Sequence, residues 1–272
     1  MNKKQKEIIT ELKEISEKLR HSIKRRDCSY KLYTACVRYF GSFNKAKEKA
    51  NLTTVNNRII NFKKDAFKKD EELAEIASYI TFDGHLYNTL KCFYFSSKNV
   101  KDLKKFEKLI KKKFGIVSGK YYLNSGGQGK NKTHKYLIFN KKISQELFNL
   151  GVPKGDKVNQ AFKIPKWIFC SKDLSKEYLK IAFFCEGCFK ESKNRTPRIA
   201  INLAKTEEFI EDGINFMEEL KQMLKYFDIK ATKCYISGNR IRKRDNKISK
   251  DIKFRIKIED NNRFINKIGW IK

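Results

Sequence analysis

Two carboxylates in matching settings are the residues of this chain best placed to do chemistry. Asp83 is followed by Gly84 and Glu186 by Gly187, and the acids lie 103 residues apart, about the length of a small domain. Each closes a short apolar, helix-competent run: LAEIASYITFDG at 73–84 and LKIAFFCEG at 179–187. A helix that stops at glycine fixes its last side chain near the helix end. Two such helices packed side by side would bring their terminal carboxylates together. Like charges that close are stable chiefly around a divalent cation. Ala74, Ala77, Ser78 and Thr81 form a small-residue stripe at three- and four-residue spacing, which lets two backbones approach. Either stretch alone reads more simply as a core helix with an acidic end. The repeated acid–glycine ending points instead to a fold built twice, with one acid from each copy in a shared site.

Two acids around Mg²⁺ (or Mn²⁺) suit phosphodiester hydrolysis, because the ion activates water and neutralises the attacked phosphate. The same pair could serve a glycosidase. Charge argues against that. Lys and Arg number 62 against 31 acids, so the formal net charge of the 272-residue chain is +31. A neutral sugar needs no such field, whereas a polyanion does, and nucleic acid is the default. With 40% hydrophobic and 13% aromatic residues the chain is a folded body with a sizeable core, against a basic disordered tail. No apolar run reaches the roughly 18 residues of a membrane span, and MNKKQKEIITE has no signal-peptide core. A cytoplasmic protein without a membrane partner is expected. Seven scattered cysteines are expected as reduced thiols. Cys185-Glu-Gly-Cys188 matches C-x-x-C but lacks a second ligand pair for zinc. Of three unclustered histidines, His85 stands nearest an acid.

The elements that must position these groups follow from the pattern. Residues 3–26 carry Ile8, Leu12, Ile15 and Leu19 at helical spacing. Residues 30–40 and 43–50 read as two more helices around a turn at Gly41-Ser42, with Ser42 as N-cap. Together they suggest a helix-turn-helix-like unit, or a plain helical cap. Residues 51–69 read as a polar linker. In the first copy, strands are expected at 86–96, 120–123 and 135–139, and helices at 99–114 and 143–150. Residues 151–165 form a connector. The second copy repeats the order, with a helix at 175–185, a strand at 198–203, a helix at 206–227 and strands at 230–237 and 251–259. Between the last two lies SGNRIRKRDNKISKD, a basic hairpin fit to lie in a DNA groove. Its Arg240, Arg242, Lys243, Arg244 and Lys247 are candidate DNA contacts, with Lys130 and Lys132 of the NSGGQGKNKTH loop and Arg198.

Four stretches resemble the LAGLIDADG homing endonucleases in their single-chain, two-repeat form. ASYITFDG (77–84) and YLKIAFFCEG (178–187) stand where the two signature helices would be. The connector LGVPKGDKVNQAFKIPKWI (150–168) and the ending NRFINKIGW (262–270) also resemble that family, so the likeness covers about residues 70–272. YFGSFNKAKEKANL (39–52) is similar to the small helical repeat associated with homing endonucleases. The resemblance implies an α+β fold of two pseudo-symmetric αββαββα repeats forming a DNA-binding saddle, plus a small all-α N-terminal domain. The expected divisions are 1–69, 70–168 and 169–272. It further implies a monomer making Mg²⁺-dependent double-strand cuts at a long asymmetric DNA site. Asp83 and Glu186 match the metal-binding acids, and Lys135 and Lys253 are candidates for the basic catalytic residues. Phe82 and Cys185 replace the usual small residue before each acid, and Ile181 replaces a glycine, which bears on how closely the helices pack. The ends lack a splicing nucleophile and Asn pair, so a free-standing protein is expected. The alternative keeps the fold without cutting, as a DNA-binding regulator or an RNA-splicing maturase gripping intron RNA.

Overall fold

The computed structural model describes every residue except 20–22, 53–61, 64, 116, 118, 125–132, 193–194 and 270–272. The chain divides into two compact units, Met1–Asn61 and Phe62–Lys272. The smaller holds α1 (Lys3–Leu19), α2 (Tyr30–Phe40) and α3 (Phe43–Lys49). Its core is Ile8, Ile9 and Leu12 against Leu32, Cys36 and Ala46, the apolar stripe that 3.6-residue periodicity requires. Ser29 and Ser42 cap α2 and α3, accepting from the amides of Leu32 and Lys45 at 3.1 Å each. Gly41, at φ 79°, makes the left-handed turn between them. The first helix stops earlier than expected, and Arg25–Asp27 forms a single 3₁₀ turn.

The larger unit is α+β and runs through one pattern twice. Its first half is α4 (Glu71–Thr81), β1 (Gly84–Leu86), β2 (Phe93–Ser97), α5 (Val100–Phe114), β3 (Gly119–Asn124), β4 (Thr133–Ile138) and α6 (Lys141–Asn149). Its second is α7 (Lys172–Glu186), β5 (Gly187–Ser192), β6 (Arg195–Thr206), α8 (Ile210–Lys225), β7 (Tyr235–Ile241), β8 (Ile248–Arg255) and α9 (Asn261–Lys267). Each half is αββαββα. The two antiparallel sheets share one strand order, β1-β2-β4-β3 and β5-β6-β8-β7.

Four expectations change. Each acid is followed at once by a strand that residue spacing did not show, because β1 is three residues long and a period of two needs more. The aromatic run 86–96 is two strands around a turn at Leu90, whose φ is 51°. The basic stretch is mostly strand. β7 starts at Tyr235 and extends to Ile241, so the hairpin turn shrinks to 242–247. The stretch read as linker also contributes from residue 62 onward, since Ala66 is buried in the larger core with Phe62 and Phe67 packed against it.

Register makes the halves comparable residue by residue. Gly84 faces Phe95, which faces Tyr136; Gly187 faces Ile201, which faces Phe254. Lys135 opposite Ser96 therefore corresponds to Lys253 opposite Asn202. Tyr136 and Ile138, like Ile252 and Phe254, are buried in the core. Alternation along a strand thus puts Lys135 and Lys253 on the opposite face of each sheet.

Candidate active site

The two acid-bearing helices pack against each other through the small-residue stripe. Ala74, Ala77 and Ser78 of α4 and Tyr178, Ile181 and Ala182 of α7 are all buried. Ser78 Oγ donates to the Tyr178 carbonyl at 2.8 Å, a backbone approach that a larger residue at 78 would block. Ile181 is accommodated, and Phe82 is buried edge-on against Tyr178 with ring centroids 5.9 Å apart. The departures from the family pattern leave the helix pair intact.

Gly187 caps α7 as expected, its amide donating to the Phe183 carbonyl, whereas α4 ends at Thr81 with Phe82 at the cap. Neither Gly84 nor Gly187 has a positive φ. A Cβ on Gly84 would lie 2.6 Å from the Ile80 Cα and 2.7 Å from the Tyr94 carbonyl oxygen. A Cβ on Gly187 would clash with the Phe183 carbonyl. Glycine is needed where helix turns into strand without room for a side chain, and that sharp exit leaves the preceding acid at the helix end.

Asp83 and Glu186 are brought together. Burial raises the Asp83 carboxyl to about 6, opposed by Lys157, by a hydrogen bond from the Cys185 thiol, and by Lys98. Burial and then the Asp83 charge raise Glu186 to about 7, opposed by Lys157 and Arg240. Asp83 nevertheless keeps an exposed surface and Glu186 is half-buried, so the pair is accessible from solvent. The Cys185 thiol is pushed up by burial, which keeps it a neutral donor. His85, one strand position past Gly84, is pushed down by burial and then by Lys157 and Lys135. It stacks on Tyr94 at 5.5 Å, and Lys135 Nζ lies 4.4 Å from the Tyr94 ring centroid.

Lys157 is the residue that sequence reasoning missed. It sits in a 3₁₀ turn of the connector, Lys157–Asn159. Its Nζ donates to the carbonyls of Ile80 (3.0 Å), Thr81 (2.6 Å), Phe82 (2.7 Å) and Gly84 (2.8 Å). Three of these carbonyls belong to the C-terminal end of α4, where a cation is favoured, and the fourth opens β1. They bracket Asp83. An ammonium has three N–H donors, so four carbonyls use all of them. Lys157 thus holds the backbone around Asp83 and supplies charge to both acids, with no proton direction left for a substrate. Burial lowers its pKa to about 8, against the pull of Glu186 and Asp83. Nothing in GDKVN marks this role locally, because its partners lie more than 70 residues away.

The remaining candidates separate. Arg240 lies near Glu186 and pairs with Asp251. Arg242 is turned inward, with only 11% of its side chain exposed, and pairs with Asp156 at 2.5 Å. It is therefore held by the protein and is not a freely presented DNA contact. Lys247 donates to Glu208 at 3.0 Å, Arg244 is largely exposed, and Lys243 and Arg198 are exposed. Lys130 and Lys132 lie outside the described residues. Lys98, in the turn after β2, joins the set through its effect on Asp83.

Among the described residues no three or more His, Cys, Asp or Glu side chains gather at metal-binding distance. The two acids are hard oxygen donors whose ionisation is resisted by burial and, at Glu186, by the neighbouring carboxylate. That fits Mg²⁺ or Mn²⁺ held by two carboxylates with water and substrate oxygens completing the shell. No described helix is long and apolar enough to cross a membrane.

No family model matches the chain. Curated proteins match at low identity over part of their length. The tRNA-splicing ligase RtcB of Methanopyrus kandleri is 26% identical over 217 residues, which are 73% of this chain and 20% of that protein. The RtcB of Methanocaldococcus jannaschii is 34% identical over 96 residues, 35% of this chain and 10% of that protein. The replication factor C small subunit of the same organism is 29% identical over 231 residues, 73% of this chain and 12% of that protein. The chain spans a fifth or less of the length of these relatives. Among solved structures, a mesophilic variant of the homing endonuclease I-DmoI has a TM-score of 0.47 at 14% identity, over 76% of this chain and 97% of that one. The N-terminal LAGLIDADG domain of DUF199/WhiA has a TM-score of 0.47 at 16% identity, over 76% and 88%. The homing endonuclease I-WcaI bound to its DNA recognition sequence has a TM-score of 0.46 at 16% identity, over 80% and 91%.

Proposed function

We propose that this chain is a site-specific DNA endonuclease that uses a divalent metal, acting as a monomer on a long asymmetric duplex site. The observation that carries the reading is the meeting of Asp83 and Glu186 over the Lys157-braced end of α4, in a chain of net charge +31. Two buried-side acids pushed toward neutrality are costly to keep unless they hold a cation or a proton in use. The curated relatives support a module reading. An RNA ligase and a replication factor do different chemistry, and the matched segment is a small part of each. What the segments share is therefore not the named activity of either protein, and neither is carried over to this chain.

Asp83 and Glu186 would hold the ion as hard carboxylate donors. A bound divalent ion would supply an activated water and neutralise the attacked phosphate. Lys157 fixes the Asp83 backbone and lowers the cost of ionising both acids. Lys98 and Arg240, near the two acids, would steady the phosphates flanking the scissile bond. Lys135 and Lys253, at equivalent register on the outer faces of the two sheets, are the candidate basic catalytic residues. Arg240, Arg244, Lys243, Lys247 and Arg198 would contact the backbone, with Lys130 and Lys132 as further candidates, and the helical N-terminal unit would extend the footprint.

The test incubates the protein and Mg²⁺ or Mn²⁺ with DNA spanning the insertion site of its own gene, from which that gene is absent. A discrete double-strand cut, lost in Asp83→Asn, is expected. Tight, salt-dependent binding of that DNA without any cut in either metal would replace this reading with the non-cleaving regulator. Preference for intron RNA over the duplex would replace it with the maturase.

A further inference from the structure

The connector turn that carries Lys157 is gripped from a second direction by the basic hairpin. Asp156, one residue before Lys157, accepts from Arg242 at 2.5 Å and lies 3.7 Å from Arg244. Both arginines belong to the turn between β7 and β8. On the other side of Lys157, Asn159 accepts from Lys247 at 3.3 Å. Asp156 also caps the turn itself, accepting from the Val158 amide at 3.3 Å. From β6, Lys205 donates to the carbonyls of Lys157 (2.8 Å) and Gln160 (2.5 Å). A continuous path thus runs from the hairpin through Asp156 to Lys157, and from Lys157 to the carbonyls on both sides of Asp83.

The Arg242–Asp156 pair is built unlike a surface ion pair. Its side chains are only 11% and 20% exposed, so water screens it weakly. Arg242 Nη1 is buried and has no hydrogen-bond partner among the described residues. Asp245 of the same turn lies farther from the guanidinium, at 3.4 Å, so Asp156 at 2.5 Å is the closer carboxylate and the one that ties the hairpin to the connector. Movement of the hairpin therefore carries Asp156 with it, and Asp156 carries the turn. We propose that Asp156 and Arg242 are positioning residues, whose ion pair lets the DNA-facing hairpin set where Lys157, and through it the backbone around Asp83, is held. The kinetic part of this inference rests on the nuclease reading; the structural part does not.

The test uses the full chain with Arg242→Gln, Asp156→Asn and the charge-preserving Arg242→Lys. Amide hydrogen exchange is followed by mass spectrometry in peptides covering 80–86 and 154–160. Arg242→Gln and Asp156→Asn are expected to speed exchange in both segments at least tenfold, and Arg242→Lys to restore it to within about threefold. Far-ultraviolet circular dichroism confirms that each variant is folded. Exchange at 80–86 within twofold of wild type in folded Arg242→Gln and Asp156→Asn would overturn the proposal, whether or not the protein cuts DNA. On a cleavable duplex, the same two variants should lower the single-turnover rate at least tenfold while the DNA dissociation constant changes less than threefold. Arg242→Lys should recover most of the rate. A loss confined to DNA affinity would make Arg242 an ordinary phosphate contact and refute the positioning role. Absence of cutting by the wild type would remove the nuclease reading and leave the exchange experiment to decide this one.

Discussion

Glu186 offers the sharpest quantitative test of the acid pair. Its carboxyl rises from an ordinary 4.5 to about 7, first because it is buried and then because Asp83 is beside it. A group whose folded pKa is raised gives the folded state more protons than the unfolded state between those two values. Stability is then fullest below about pH 4.5 and is lost as pH climbs to about 7, after which the penalty is complete. The shift corresponds to about 3 kcal/mol. Glu186→Gln keeps the shape and deletes the charge. The rise to about 7 is already net of the pull of Lys157, so the expected gain at pH 8.5 without metal is about 3 kcal/mol. At pH 4.5 the wild-type side chain is already protonated, and the variant should match it. Trp167 is buried in the larger unit, and residues 1–61 contain no tryptophan. Urea unfolding read by tryptophan fluorescence in EDTA therefore reports on that unit. Mg²⁺ at pH 8.5 should stabilise the wild type and leave the variant nearly unmoved. An equal loss of stability in Glu186→Gln at both pH values would show a carboxylate with a structural partner and no strain, and the shared-site argument would fail.

Asp83→Asn should reduce cleavage at least a thousandfold, while fluorescence anisotropy shows DNA affinity unchanged or raised, since a negative charge facing phosphate is removed. Gly187→Ala should cost the larger unit about 2 kcal/mol or more, seen in the same urea experiment, because the added methyl meets the Phe183 carbonyl and the backbone must shift. An alanine tolerated there at no cost would contradict the close helix-to-strand exit. Removing residues 1–61 should leave the urea midpoint of the remaining unit unchanged and weaken DNA binding about tenfold at fixed salt. An unchanged dissociation constant would make the helical unit a structural appendage.

The sequence by itself determined the parts of this protein whose causes are local. Helix ends are written in single residues: Ser29, Ser42 and Ser171 accept from the amides that begin α2, α3 and α7. Apolar residues at helical spacing placed α5 within a residue of its observed span, and the acid–glycine pairs marked where α4 and α7 give way to strands. Tertiary structure decided what depends on distant partners. The three-residue β1 exists only because Phe93–Phe95 is there to pair with it. Gly84 and Gly187 are required by neighbouring backbone, at Tyr94 and Phe183, and not by their own dihedral angles. Arg242 looked like one more cation of a solvent-facing hairpin, yet Asp156, 86 residues earlier, draws it inward. Lys157, one basic residue among 62, becomes the clamp of the site because the fold lays its connector across the junction of α4 and β1, where an ammonium meets four backbone carbonyls.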